Sequence, residues 1–199
     1  YNIAHSGILN SLAQVLIKAT SPGIPDFYQG SELWDLSFVD PDNRRPVDYQ
    51  KRMTYLKEVK NRESDSSALI NDLWKTKEDG RIKLFLTHRA LTVRKEHQEL
   101  FAQGTYLPLL IEGTRKDQVV AYARQWKDQW SITVVARLIS KETDFLAKAL
   151  DWQDTAVVLP ENFPTEWQDE LTQKKFSQGR KLNVKILFEH FPMVLLTHF

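Results

Sequence analysis

Residues 22–49 read PGIPDFYQGSELWDLSFVDPDNRRPVDY, and the reading of this passage decides how the rest of the chain is understood. Its opening, Gly23 to Gly30, is too short for a helix, is bracketed by glycines and has Pro25 near its start, where a strand best tolerates a missing N–H donor. It reads as a short buried strand centred on Ile24 to Tyr28. From Ser31 to Asp48 two further prolines, Pro41 and Pro46, punctuate a run in which Glu32, Asp35, Asp40, Asp42, Asp48, Arg44 and Arg45 stand among Trp34, Leu36, Phe38 and Val39. A long loop with this density of charge and aromatic rings is expected to carry function rather than to link elements.

Gly23, Pro25, Tyr28, Gly30 and Glu32 also form a pattern, Gly-x-Pro-x-x-Tyr-x-Gly followed by an acid. It resembles the eighth strand of the catalytic (β/α)8 barrel in the α-amylase superfamily, glycoside hydrolase family 13. The extension through residues 32–49 narrows the match, because it resembles the passage after that strand in one subfamily, the maltooligosyl trehalose synthases. The resemblance implies an α+β chain: the last helix-strand-helix part of a (β/α)8 barrel in residues 1–103, followed by an antiparallel β-sandwich in residues 104–199.

Composition is compatible with that. With 199 residues, 42% hydrophobic and 27% charged, the chain is long enough to bury a real core and has the make-up of an ordinary soluble globular protein. The formal net charge of +1 gives no electrostatic case for nucleic acid or an anionic membrane as partner. No apolar run approaches the length of a membrane span. There is no cysteine, which excludes disulfides and thiolate metal sites and agrees with a cytoplasmic location. The first residue is Tyr1, with a helical pattern under way by Ile3, so the chain is expected to be cut from something longer.

Taken in order, Ile8, Leu12, Val15, Leu16 and Ala19 recur at three- and four-residue spacing and predict one helix from Ile3 to Ala19, stopped by Ser21-Pro22-Gly23. By resemblance it is the seventh barrel helix. After the loop, Asp48 is placed to cap a helix with Tyr49, Met53 and Leu56 on one face. Ser67 is placed to cap another carrying Leu69, Ile70, Leu73 and Trp74, ended at Asp79-Gly80. A single long helix is expected over Arg81 to Phe101, with His97 packed near its end rather than ligating a metal. Beyond Gly104 the period changes to two. Strands are expected at 106–111, 119–126, 131–138, 156–159, 167–171, 184–188 and 194–197, with a loop and one helical turn in 141–150.

The chemistry of glycoside bonds needs two carboxyl groups on opposite sides of one anomeric carbon. In the family these, and a third acid, precede the eighth strand, so the resemblance puts all three upstream of Tyr1 and no catalytic residue in this chain; His5, followed by Ser6, does not match the His-Asp motif of the third. The expected activity of the parent is that of an intramolecular glucosyl transferase. It converts the last α-1,4 bond of a maltooligosaccharide to α,α-1,1, with no metal or organic cofactor, and this chain alone is expected to be inactive. Trp34, Asp35, Asp42, Asn43, Arg44 and Arg45 are the candidate substrate-binding residues, since sugars are held by aromatic faces and by paired polar groups on adjacent hydroxyls. Two readings of the loop acids stand side by side: a loop braced internally by arginine–carboxylate forks, or direct contact with sugar. A rival from another class is a non-catalytic carbohydrate-binding or structural module. In it Trp126, Trp130, Trp152 and Trp167 would form a glycan surface instead of packing.

Overall fold

The computed structural model describes residues 2–38, 40–139, 150–177 and 179–199. Segment 141–149, where a loop with one helical turn is expected, lies outside them, as does Val39. Four helices fill most of the first half: α1 (Asn2–Thr20), α2 (Tyr49–Asn61), α3 (Ser66–Lys75) and α4 (Arg81–Glu96). α1 buries Leu9, Leu12, Val15, Leu16 and Ala19, the stripe read from spacing, and packs it against Ile82, Phe85, Leu86, Ala90 and Val93 of α4 within one hydrophobic core. Asp48 caps α2, its carboxylate accepting from the Lys51 N–H at 2.9 Å. The cap of α3 is Asp65 and not Ser67, because the helix starts two residues earlier than a Ser67 cap would place it and the Asp65 carboxylate reaches the Ala68 N–H. On α2, Tyr49 and Met53 of the expected apolar face are exposed, and Val59 is the residue it buries.

The long helix expected over Arg81 to Phe101 is broken. α4 ends at Glu96, His97 leaves the helical region with φ −117° and ψ 48°, and α5 (Gln98–Gln103) restarts at an angle that carries Leu100 and Phe101 into the core. His97 is a packed helix-end residue, its ring stacked on Phe199 with centroids 3.4 Å apart.

Nine strands follow among the described residues, in two antiparallel sheets. β1 (Thr105–Pro108), β3 (Val119–Trp126), β4 (Gln129–Ala136), β6 (Glu166–Asp169), β7 (Lys175–Ser177) and β9 (Met193–His198) make the larger sheet in the order β1-β3-β4-β9-β6-β7, and β2 (Leu110–Glu112), β5 (Ala156–Val158) and β8 (Lys181–Asn183) make the smaller. The stretch 106–111 is therefore two strands. Pro108, without a donor, sits in the edge strand β1, and at Leu109 the chain crosses from one sheet to the other. Residues 184–188 are not a strand: Val184–Leu187 is a one-turn helix, α6, whose start is capped by the Asn183 side chain accepting from the Lys185 N–H. Trp130, Trp152 and Trp167 are buried in the core, and Trp126 donates to Glu99, so all four tryptophans of this half pack or pair within the fold. No helix among the described residues is long and apolar enough to cross a membrane.

Segment 24–28 forms no strand. Ile24 is 96% exposed and no described strand pairs with this segment, whose Tyr28 carbonyl accepts from the Ser31 N–H in a turn; a strand exists only with a neighbour to bond to.

Helices and sheets meet at the C-terminal end of α1. The Thr20 hydroxyl donates to the Leu16 carbonyl at 2.7 Å and lies 2.6 Å from the Tyr122 hydroxyl and 3.0 Å from that of Thr133. Arg124, fully buried on β3, donates to the carbonyls of Thr20, Phe101 and Gly104 at 3.2, 3.0 and 2.7 Å. Arg94 on α4 donates to the carbonyls of Ala19, Ser21 and Gly23. Two guanidinium groups thus satisfy carbonyls that a helix end leaves without partners, with the sign that the helix dipole favours.

A second buried polar group holds the far edge of the larger sheet. The Asp169 carboxylate, wholly inside, accepts from the Leu171, Thr172 and Leu195 N–H groups and from the Thr172 hydroxyl. Burial nevertheless pushes its pKa up to about 6, the four donors only partly offsetting the loss of water. Because the folded value exceeds the unfolded one, about 3.9, the native state binds the proton more tightly. The group's stabilising contribution is full below about pH 4 and is lost as pH rises through about 6. Urea unfolding of the wild type at pH 4.5 and pH 7 should show this as about 2 kcal/mol of lost stability. Asp169→Asn should not show it, and should be less stable at both pH values because either placement of its amide N–H₂ faces a backbone N–H donor, of Thr172 or of Leu171 and Leu195.

Candidate functional site

The loop that carries the candidate site runs from Gly30 to Asp48, and three contacts fix its path. The first is the turn before α4. Gly80 holds φ +84°, and an added Cβ there would meet the Trp34 N at 3.0 Å and the Leu33 Cα at 3.2 Å, so the loop backbone lies directly on it. Around that contact the Trp34 indole N–H donates to the Lys77 carbonyl at 2.6 Å. The Lys83 ammonium donates to the Leu33 carbonyl at 3.1 Å and sits over the Trp34 ring. Burial, with Lys18 nearby, pushes the Lys83 pKa down, while Asp35 and Glu32 oppose the shift.

The second contact is Arg52, on the first turn of α2. Its Nε donates to Glu32 at 3.0 Å, its Nη2 to the Gly30 carbonyl at 2.8 Å and its Nη1 to the Asp48 carbonyl at 3.1 Å. The third is a bend around a short 3-10 turn, Asp42–Arg44, where Arg44 pairs with Asp40 and Arg45 with Asp42 at 3.0 Å. Arginine–carboxylate pairs do brace the loop from within, as one of the two readings has it. Sequence reasoning missed Arg52, the one guanidinium that joins its two ends. Only its place one turn after the capping Asp48 could have drawn attention to it.

Together these contacts leave a cleft of about 560 Å³ between the loop, the start of α2 and Glu78-Asp79. Trp34, Asp35, Asp42, Asn43 and Arg45 line it, and Arg44 is turned away onto Asp40. The Trp34 ring is half-buried and held by its own packing. The exposed Asp35 carboxylate accepts from the Ser37 N–H at 2.9 Å and hydroxyl at 2.5 Å, both on one oxygen, and these bonds hold its pKa below the usual carboxylate range. The Asn43 side-chain oxygen is shielded from water and has no hydrogen-bond partner among the described residues. The cleft therefore presents carboxylate oxygens and a guanidinium beside an aromatic ring, a set suited to polyhydroxylated ligands. Among the described residues no three His, Cys, Asp or Glu side chains gather where they could hold a metal ion.

The comparisons with known proteins agree among themselves. No family model matches the chain. A curated Mycobacterium tuberculosis protein, provisionally named maltooligosyl trehalose synthase, is 34% identical over 187 residues, 94% of this chain. The chain spans 20% of that relative's length. The solved structure of maltooligosyltrehalose synthase from Arthrobacter ramosus is 31% identical and superposes with a TM-score of 0.67, covering 97% of this chain and 22% of its own. An Anoxybacillus α-amylase structure, at 14% identity, matches 96% of this chain and 32% of its own with a TM-score of 0.57, a likeness of fold alone.

If the loop rests on Gly80 as described, Gly80→Ala should cost about 1–2 kcal/mol in thermal or urea unfolding, from its left-handed backbone and the contact with Trp34. Arg44→Ala, which removes an exposed ion pair, should stay within about 0.5 kcal/mol.

Proposed function

Since the chain belongs with the maltooligosyl trehalose synthases along the fifth of their length that it spans, we propose that it works as one part of an intramolecular glucosyl transferase acting on maltooligosaccharides. Residues 1–103 are then the last helix-strand-helix part of a (β/α)8 barrel and residues 104–199 a β-sandwich domain. Segment 24–28 is the eighth barrel strand, which takes its neighbours from the rest of the barrel. A cytoplasmic location fits a chain without cysteine.

In the longer enzyme an acid opens the α-1,4 bond at the reducing end while a carboxylate takes the remaining chain as a covalent glycosyl enzyme. The freed glucose turns in place, and its anomeric hydroxyl attacks that intermediate to close an α,α-1,1 bond. The sum is an isomerisation, so water must be kept from the intermediate if transfer is to outrun hydrolysis. The loop from Gly30 to Asp48 leaves the carboxyl end of the eighth strand, the end at which barrels place their active sites, and it supplies a wall near the cleaved bond.

The match along 94% of the chain at 34% identity carries this reading. The site residues gain support from the cleft that five of the six candidates line. Asp35 keeps one carboxylate oxygen clear of its Ser37 bonds, and Arg45 keeps N–H groups beyond the one spent on Asp42. Arg44 braces the bend through Asp40, which leaves Arg45 as the arginine placed to meet sugar hydroxyls, with Asp42 and the Trp34 ring beside it.

Two measurements test the proposal. This chain alone should leave maltopentaose unchanged, because it would hold the wall of a site without its acid pair. In the longer enzyme Arg45→Lys should lower kcat by about one to two powers of ten, the cost of a charged hydrogen bond that tightens in the transition state. Turnover by the chain alone, or an Arg45→Lys enzyme with unchanged kcat and KM, would remove the reading of chain and residue respectively.

A further inference from the structure

Of the three contacts that fix the loop's path, one joins its two ends, and it is made by a single residue that also borders the cleft. Arg52 lies between the two ends of the loop and is only 17% exposed along its side chain. Each of its three nitrogens is committed: Nε to the Glu32 carboxylate, Nη2 to the Gly30 carbonyl where the loop begins, and Nη1 to the Asp48 carbonyl where it ends. Gly30, at φ +86°, has its Cα against this same group, and a Cβ there would lie 3.6 Å from Nη2 and 3.3 Å from Val47. The loop thus leaves and returns within reach of one rigid planar cation. Arg44 and Arg45, by contrast, each close a turn of three or four residues on the exposed surface.

We infer that Arg52 is a positioning residue for the transfer reaction: its guanidinium joins Gly30, Glu32 and Asp48 and holds the loop closed over the site, so that the released glucose is retained and water excluded. The inference deepens the proposed function and rests on it for the reaction concerned. Lysine cannot take this place, since a single ammonium on a flexible stem cannot span three acceptors in one plane. Glutamate 32 alone is not the point either. Glu32→Gln keeps both carbonyl bonds and loses only the ion pair, so it should act in the same direction as Arg52→Ala but more weakly.

The test has two arms. In this chain, amide exchange should show residues 31–48 losing protection in Arg52→Ala and Arg52→Lys while the amides of α1 and α4 keep theirs. In the longer enzyme acting on maltopentaose, Arg52→Ala should lower kcat about tenfold, a loss of about 1.4 kcal/mol in the transition state. It should also raise the share of free glucose severalfold, with KM changed by less than twofold, and added guanidinium at millimolar concentration should restore much of the product ratio. A general loss of folding would move α1 and α4 exchange and would not respond to guanidinium. Unchanged loop exchange would overturn the staple. A loosened loop with unchanged kcat and product ratio would overturn its part in the reaction. If the parent enzyme with Arg52 intact forms no trehalose end, the proposed function fails and the assigned role with it, while the exchange arm still decides whether Arg52 closes the loop.

Discussion

The C-terminal end of α1 is where the two kinds of structure in this chain are joined. An α-helix ends with carbonyls that have no partner within it, and burying each one unpaired would cost about 1–3 kcal/mol. Here Arg94 from α4 and Arg124 from β3 meet those carbonyls, and the Thr20 hydroxyl sits against Tyr122 and Thr133 of the larger sheet. Desolvation lowers the pKa of both arginines, yet a guanidinium stays charged under any ordinary condition, so each cation is held by carbonyl dipoles. The segment that leads from α1 to the loop of the candidate site departs from this point, and Arg94 holds its first residues through the Ser21 and Gly23 carbonyls.

From that point the loop is fixed in decreasing order of burial. Leu33 is buried against Gly80, Arg52 is half-buried between both ends, and the Arg44–Asp40 and Arg45–Asp42 pairs stand on the surface. Exposed pairs of this kind contribute little to stability, so the bend at 40–45 is the part of the loop most free to adjust to a ligand. The base of the cleft is thus held by buried contacts, while its rim carries charged, lightly held side chains. The arrangement favours neither the arginine-braced loop nor sugar contact to the exclusion of the other, since Arg45 can pair with Asp42 and still present free N–H groups.

Much of this was legible in the residues. The stripe of Leu12, Val15 and Leu16, the Asp48 cap and the alternation over residues 119–126 each depend on local spacing, and each element formed where its pattern ran. What escaped depends on partners distant in sequence. Nothing near His97 announces a break, which serves to bring Leu100 and Phe101 inward and to aim the last carbonyls of α5 at Arg124. β7 and β8 are three residues long, too short for an alternation to register. Val184 to Leu187 has β-branched and aliphatic residues that suit a strand, but Asn183 caps it as a turn of helix. Segment 24–28 has a strand's composition without a strand's neighbours. In the site, the aromatic and charged residues of the loop were plain from composition, while Arg52 looked like one more cation on a charged helix face.

The measurement that bears most directly on this account is native-state amide exchange in Arg124→Met, which removes the cation and leaves the carbonyls of Thr20, Phe101 and Gly104 facing an apolar chain. If the α1 end joins helices and sheet into one cooperative unit, the opening free energies of amides in α1 (Leu12, Leu16) and β4 (Ile132, Val134) should fall together by about 4 kcal/mol, the order of three lost hydrogen bonds to a charged group at the low end of their range. A fall confined to α1, with β4 unchanged, would contradict the account and make the helices and the sheets independent units that merely touch.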